Sequence, residues 1–304
     1  MNKSDVVAIV VTYNRKELLA LTLNALLKQT FQPKNIIIID NNSSDGTDIF
    51  VKSMEDEYSH IIYHNTGDNL GGAGGFHYGF NVAAEYQYDY LWLMDDDLEP
   101  SANCLQTMLS LQHEGIIQPI RFNLDGSCAE LSPVKYDLDS VFRLNPKIAC
   151  VLDVYDIESS DDCINIEGMP FEGPLISRSV VEKIGMPNPD FFIFYDDLDY
   201  AIKARNAGFT IKCSTKAKAT RLLVNNQNND LKSWKGYFML RNLFYIYYQY
   251  GSNAFVKFKP FVIACGYILR CLLVGDFKQC KITWNAFLDS FALKNSSLYK
   301  PKSK

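Results

Sequence analysis

The chain has 304 residues and a mass of 34.6 kDa, room for one large domain or two ordinary ones. With 47% hydrophobic and 21% charged residues it falls among globular proteins, outside the disordered, collagen-like and coiled-coil classes. A formal net charge of −5 argues against wholesale binding to a polyanion, so no nucleic-acid partner is expected.

The net figure hides a split. From Lys203 onward, 18 Lys and Arg face only Asp230, Asp276 and Asp289, about +15, which leaves about −20 on residues 1–202. The basic part is also aromatic, as in Trp234-Lys235-Gly236-Tyr237-Phe238 and Phe244-Tyr245-Ile246-Tyr247-Tyr248. Such a composition suits an anionic headgroup layer, and equally a solvated basic face over an aromatic core or homo-oligomer interface. Eight cysteines without a C-x-x-C pair indicate neither a zinc framework nor a dithiol. The N-terminal apolar run is too short for a signal-peptide core, and the longest apolar stretch, residues 261–274, is short of the ~20 residues of a membrane span. The expectation is a cytoplasmic chain, peripheral at the inner face of the plasma membrane.

In chain order, Val6-Val7-Ala8-Ile9-Val10-Val11 reads as a strand buried on both faces, which starts a parallel sheet. Leucines at helical spacing between Arg15 and Gln29 predict a helix, and Pro33 stops it before the strand Ile36-Ile37-Ile38-Ile39. A turn and cap cluster from Asp40 to Thr47 precedes a helix over 49–58 and a strand over 61–63. A Gly-rich segment over 67–81 passes into a helix over 80–86, and Tyr90-Leu91-Trp92-Leu93-Met94 is a strand ending at Asp95-Asp96-Asp97. Residues 167–178, rich in Gly and Pro, read as a bend before a helix over 179–184, and a helix over 196–207 is closed by Gly208. The alternation predicts an α/β fold with ligands at the carboxyl ends of the strands.

Three adjacent carboxylates after an apolar strand suit a hard divalent ion such as Mg2+ or Mn2+, with a solvated acidic turn as the alternative. The glycines at 71, 72, 74 and 75, followed by Phe76, allow close backbone approach to a diphosphate, or a flexible turn. No G-x-G-x-x-G fingerprint or P-loop is completed. Asp40, with Asn41 and Asn42, lies where the first crevice of the sheet would hold a base and ribose; ordinary turn chemistry accounts for it too. Asp196 and Asp197 emerge from the aromatic run of residues 191–195 into a helix start. Apolar surroundings raise a carboxyl pKa toward that of a general base, whereas the helix dipole lowers it.

In their order, Thr12-Tyr13-Asn14-Arg15, Asp40-Asn41-Asn42-Ser43-Ser44-Asp45-Gly46-Thr47, Asn69-Leu70-Gly71-Gly72-Ala73-Gly74-Gly75-Phe76, Asp95-Asp96-Asp97 and Phe194-Tyr195-Asp196-Asp197-Leu198-Asp199 resemble the family 2 inverting glycosyltransferases. The resemblance covers residues 5–224 and is nearest to bacterial galactofuranosyltransferases, with rhamnosyltransferases next. It implies a GT-A fold, expected over residues 1–228, and the aromatic and basic composition beyond it predicts a helical C-terminal module over 229–304. The resemblance also implies a nucleotide-sugar donor, UDP-galactofuranose or alternatively dTDP-rhamnose, and Mn2+ or Mg2+ at Asp95 and Asp97. Asp197 is implied as base beside Asp196, with the donor held by Thr12, Asn14, Arg15, Asp40, Asn42, the Gly-rich segment, Asp95, Asp96 and Arg221. Phe171, Glu172, Gly173 and Trp234 are the expected acceptor side, facing a glycan or lipid-diphosphate-linked glycan in cell-surface polysaccharide synthesis. Relatives often carry a metal-binding histidine near the position of Arg221, and no histidine follows His113. Either fewer protein groups hold the metal, or Arg221 neutralises the diphosphate as a fixed cation. A nucleotidyltransferase and a non-catalytic scaffold subunit are the competing readings.

Overall fold

The computed structural model describes residues 4–143, 145–156, 158, 161–223, 231 and 233–301. Its first half runs β1 (Val6–Thr12), α1 (Lys16–Leu27), β2 (Asn35–Asp40), α2 (Thr47–Glu57), β3 (Ile61–Asn65), α3 (Gly71–Ala83) and β4 (Tyr90–Asp95). These strands pair in parallel in the order β3-β2-β1-β4. Every residue of β1 is buried, because helices cover both faces of the sheet. Val7, Ile9 and Val11 join a core with Phe76 and Phe80 of α3. Val6, Ala8 and Val10, one residue out of phase, pack with Leu19, Leu23 and Leu26 of α1.

The second half comprises β5 (Leu98–Pro100), α4 (Cys104–Ser110), β6 (Ile116–Phe122), β7 (Pro133–Tyr136), β8 (Lys147–Cys150), α5 (Val151–Val154), β9 (Cys163–Asn165), β10 (Leu175–Ser177), α6 (Arg178–Ile184), α7 (Asp196–Asn206) and β11 (Ile211–Arg221). Past β4 the sheet continues β10-β6-β11-β5, and β9 pairs with β11, giving nine strands among the described residues. Here it becomes mixed. The three-residue β10 runs antiparallel between β4 and β6, where the sequence predicts only a bend. Gly173 makes this insertion possible: at φ +101 it donates its N–H to the Leu93 carbonyl and accepts a 2.9 Å bond from Trp92 Nε1. Strands β7 and β8 form a separate antiparallel hairpin.

Helix α3 starts nine residues earlier than the sequence suggests, at Gly71. Its glycines serve helix–sheet approach: a Cβ at Gly75 would stand 2.6 Å from Val11 Cγ1, and one at Gly79 2.5 Å from Ile9 Cγ2. The chain closes with α8 (Lys235–Tyr250), α9 (Ala254–Leu273) and α10 (Phe277–Asp289). These share a core of Tyr237, Phe238, Phe244, Ala264 and Phe287 with Phe192. The expected boundary at residue 228 lies outside the described residues. No described helix is long and apolar enough to cross a membrane.

Gly71 is a stringent position: its φ is +72, and a Cβ there would lie 2.1 Å from the Phe192 carbonyl oxygen. Gly71→Ala is expected to cost about 1–3 kcal/mol of stability, read as a lowered urea midpoint at unchanged slope. An unchanged midpoint would contradict this packing.

Candidate functional site

Strand β4 ends by delivering three carboxylates to the carboxyl edge of the sheet, and each meets a different environment. Asp96 is buried; it accepts from Thr12 Oγ1 at 2.7 Å and Arg15 Nη1 at 3.1 Å, while its own carbonyl takes the Thr22 hydroxyl. Asp97 shares the same guanidinium at 3.3 Å. Burial, Glu172 and Asp96 push its pKa up to about 6 against the opposing pull of Arg15 and Arg221. The Asp95 carboxylate accepts no hydrogen bond among the described residues. Burial first, then Asp97, Glu172 and Asp96, drive its pKa well above the carboxylate range. Crowded carboxylates of this kind carry an unmet demand for positive charge.

Opposite them, Arg121 on β6 is fully enclosed. It donates from Nε and Nη2 to both oxygens of Glu130, at 2.7 and 2.8 Å, and from Nη1 to Glu172. Glu172 also receives Arg221 Nε at 3.1 Å from the end of β11. A chain of alternating charge therefore runs Glu130, Arg121, Glu172, Arg221 into the acidic cluster.

The third component is the aromatic segment before α7. Phe192, Phe194 and Tyr195 all adopt left-handed backbone, with φ of 63, 66 and 68. Such conformations cost non-glycine residues roughly 1–3 kcal/mol each and persist where the surroundings enforce them. The bend aims Asp196 and Asp197 at the acidic cluster. Burial raises Asp197 to about 6; the Leu198 N–H, bonded to its Oδ1 at 2.7 Å, opposes that, Glu172 adds to it, and Lys147 and Arg121 oppose it. Burial and then Asp197 raise Asp196 well above the carboxylate range. Burial thus outweighs the backbone hydrogen bond and the cations that favour the ionised form of Asp197.

Part of this set converges on one cleft of about 610 Å³, whereas Arg15, Asp96, Asp97 and Glu130 lie outside its lining. Its floor holds Asp95, Glu172, Asp196, Asp197 and Arg221, and Gly72 opens onto it from the first turn of α3. Phe76 and Phe171 contribute to its lining but are mainly core, with ring centroids 4.9 Å apart. The remaining wall was not foreseen: Tyr136, Asn145 and Lys147 come from the β7–β8 hairpin, and Met239 and Leu243 from α8. No local pattern marks these residues. Only their convergence in space identifies them.

Several expectations change. Asp40 is fully buried, with its oxygens accepting from Ser43 N at 2.9 Å and Tyr63 Oη at 2.6 Å, so its carboxylate faces the protein rather than a base. Thr12 and Asp96 bond each other. Asn14 links two loops by accepting from Ser44 N at 2.7 Å, and Asn42 is exposed beside them at φ 63. Gly71 N–H is taken by Asn69 Oδ1, and Gly74 and Gly75 are buried in packing, which leaves Gly72 as the glycine facing the cleft. Gly173 supports β4 and lies outside the cleft lining, as does Trp234, whose ring packs against Phe192 and Phe238.

Residues 7–127 match the model of glycosyl transferase family 2. The galactofuranosyltransferase GlfT1 of Mycolicibacterium smegmatis is 30% identical over 210 residues, 66% of this chain and 65% of that protein. The chain carries a family 2 glycosyltransferase domain. It thus spans just under two thirds of that relative. An undecaprenyl-phosphate mannosyltransferase of Micrococcus luteus is 36% identical over 94 residues, 30% of this chain and 37% of the relative. Among solved structures, a mannosyltransferase from Pyrobaculum calidifontis, in complex with GDP-Man and Mn2+, superposes with a TM-score of 0.57 at 15% identity. That superposition covers 98% of this chain and 78% of the other. The likeness places the domain in the GT-A fold.

The buried ion pairs give a measurable consequence. Arg121→Met removes the only cation bonded to Glu130 among the described residues and is expected to cost ~3–5 kcal/mol, the scale for stranding a buried charge. Urea denaturation checks it; a loss below about 1 kcal/mol would show that Glu130 is satisfied otherwise.

Proposed function

We propose that the chain is an inverting glycosyltransferase that moves a sugar, galactofuranose in the favoured case, from a nucleoside-diphosphate donor to a hydroxyl of a lipid-linked glycan. The observation that carries this reading is the cleft that Asp197, its pKa raised and its carboxylate bonded only by the Leu198 N–H among the described residues, lines together with Asp95, Glu172 and Arg221. The similarity to galactofuranosyltransferases supports the choice of sugar, and the mannosyltransferase relative named for undecaprenyl phosphate supports a lipid-linked acceptor. In the reaction, Asp197 takes the proton of the acceptor hydroxyl. The acceptor oxygen attacks the anomeric carbon, and the bond from that carbon to the diphosphate breaks on the opposite face, with the electron pair leaving on the phosphate oxygen. A base with a pKa near 6 is ionised at neutral pH and still basic enough to share that proton.

The cluster also fits a divalent cation. Among the described residues no three His, Cys, Asp or Glu side chains are placed to hold a metal alone. An ion that completes its shell with donor phosphates needs only one or two carboxylates, and Asp95, whose carboxylate accepts no hydrogen bond among the described residues, and Asp97 supply hard oxygens. Such an ion would neutralise charge on the leaving diphosphate. Arg221 is placed to add a permanent charge at the same end.

The α9–α10 pair exposes Phe255, Phe258, Leu273, Val274 and Phe277, each more than half accessible, among Lys257, Arg270, Lys278 and Lys281. Apolar side chains within a basic surface suit the cytoplasmic headgroup layer, where a lipid-linked acceptor would reside.

Asp197→Asn is expected to reduce transfer at least a hundredfold with donor affinity within twofold, since only the base is lost. In the unmodified protein, Asp197, set by Glu172, Lys147, Arg121, Asp196 and the Leu198 N–H, must be ionised. Its pKa is raised, so kcat should be level above about pH 6 and fall tenfold per unit below. A level profile down to pH 5, or transfer within tenfold in Asp197→Asn, removes Asp197 as the base.

Calorimetry with UDP and Mn2+ tests the donor end. Asp95→Ala and Asp97→Ala should weaken metal-dependent binding at least tenfold, and Arg221→Ala should weaken it with or without metal. Binding indifferent to EDTA and to all three substitutions would eliminate both cations. The lipid surface is tested with vesicles containing phosphatidylglycerol: the protein should cosediment at low salt and be released by high salt. No sedimentation at low ionic strength would defeat the membrane role.

A further inference from the structure

The three left-handed residues before α7 need an external restraint, and it lies about 50 residues away, on α8. Arg241 and Asn242 are both fully buried. Asn242 Nδ2 donates to the carbonyls of Phe191, Ile193 and Phe194 at 3.1, 2.8 and 2.8 Å. Arg241 Nη2 donates to the carbonyls of Asp190 and Phe191 at 2.8 and 2.9 Å, and Nη1 to the Lys294 carbonyl and Asn295 Oδ1 at 3.0 and 2.8 Å. The remaining donor, Nε, bonds Asn242 Oδ1 at 2.8 Å. This last bond has a directional effect, because a carbonyl oxygen held by Nε leaves the amide NH2 turned toward the bend.

No carboxylate pairs with Arg241 among the described residues. It is braced instead by the Phe238 ring, its guanidinium 5.1 Å from the centroid, and its donors are spent on backbone carbonyls and on the amide oxygens of Asn242 and Asn295. A planar fork with five donors can hold two backbone segments and a neighbouring amide together, and a lysine cannot. The restrained bend acts in two directions. Its C-terminal end leads directly into Asp196 and Asp197. Its Phe192 carbonyl accepts the Ala73 N–H at 3.2 Å and abuts Gly71, so it also braces the first turn of α3.

We propose that Arg241 and Asn242 are positioning residues for the reaction: by fixing the strained segment 190–195 they set the Asp197 carboxylate against the acceptor and the Gly72 turn against the donor. This rests on the reading of Asp197 as the base. It assigns to the helical C-terminal part of the chain a share in catalysis that its contribution of Met239 and Leu243 to the cleft wall does not by itself require.

Asn242→Asp separates positioning from mere packing. It keeps the size of the side chain and an acceptor for Arg241 Nε, now as an ion pair, yet it removes both donors to the bend and turns an oxygen toward three carbonyls. With the full-length protein, hydrogen–deuterium exchange of peptides covering 191–197 should quicken at least tenfold, while peptides from β1 and α1 exchange as in the unmodified protein. UDP release from UDP-galactofuranose should lose at least tenfold in kcat, and the pH at which kcat falls should move. If the variant does not fold, Arg241→Lys is measured in the same way. Unchanged exchange over 191–197 overturns the restraint, with no donor needed to see it. Faster exchange with unchanged kcat and pH profile overturns the positioning role and leaves a structural anchor. Asp197→Asn that still transfers would instead sink the base while leaving the exchange result intact.

Discussion

Six carboxylates, at positions 95, 96, 97, 172, 196 and 197, are gathered at one edge of the sheet, and the arrangement of that edge follows from what is needed to keep them there. Like charges at such range in a partly buried site repel by several kcal/mol unless they are neutralised, hydrogen-bonded or compensated. The protein uses all three. Arg15 compensates Asp96 and Asp97, Arg121 and Arg221 share Glu172, and Asp95, Asp97, Asp196 and Asp197 are shifted toward protonation. The loop after β1, the end of β6 and the end of β11 can each be understood as the carrier of one of these cations. A nucleoside diphosphate and a divalent ion would fit the remaining imbalance, since one brings the negative charge that the arginines attract and the other the positive charge that Asp95 lacks.

The parallel half of the sheet was legible because β1 and β2 are uninterrupted apolar runs, a pattern forced on strands buried on both faces. The antiparallel half was not. β10 is three residues long and follows Gly168, Pro170, Gly173 and Pro174 in sequence, so nothing local distinguishes it from a bend; its pairing with Trp92 and Leu91 exists only in the tertiary structure. The glycine segment was noticed for the right residues and a different reason. Absence of a Cβ serves a ligand or a neighbouring strand equally well, and at Gly75 and Gly79 the neighbour is β1. Asp40 was placed at the correct strand end, but its orientation depends on Tyr63, which reaches it from the adjacent strand.

The acidic half of the site was legible because runs of Asp at strand and helix ends are visible in one dimension. Its cationic and restraining half consists of single residues. Arg121 and Glu130 are nine positions apart, and Glu172 another 42 beyond Glu130, so their alternation of charge appears only after folding. Arg241 and Asn242 sat unmarked inside an aromatic run that suggested a surface or a core. Of the two cations singled out from sequence, Arg221 reaches the cleft, where its partner is Glu172, whereas Arg15 pairs with Asp96 and Asp97 outside the cleft lining.

The two sides of the cleft have different origins in the chain, and this bears on how such a site can be specialised. Gly72 and Asp95 lie in the family domain, on elements fixed by packing against both faces of β1. Glu172, Asp197, the β7–β8 hairpin and the wall from α8 come later, in segments joined to the sheet by short strands, ion pairs and the Asn242 amide. A buried parallel strand tolerates little change, because every side chain on it is packed on one face or the other. A hairpin and the exposed side of a helix tolerate much more. On the proposed function, acceptor preference would therefore vary through residues such as Tyr136, Lys147, Met239 and Leu243 while the end proposed for the diphosphate keeps its geometry, provided that any new sequence preserves the restraint on the bend before Asp197.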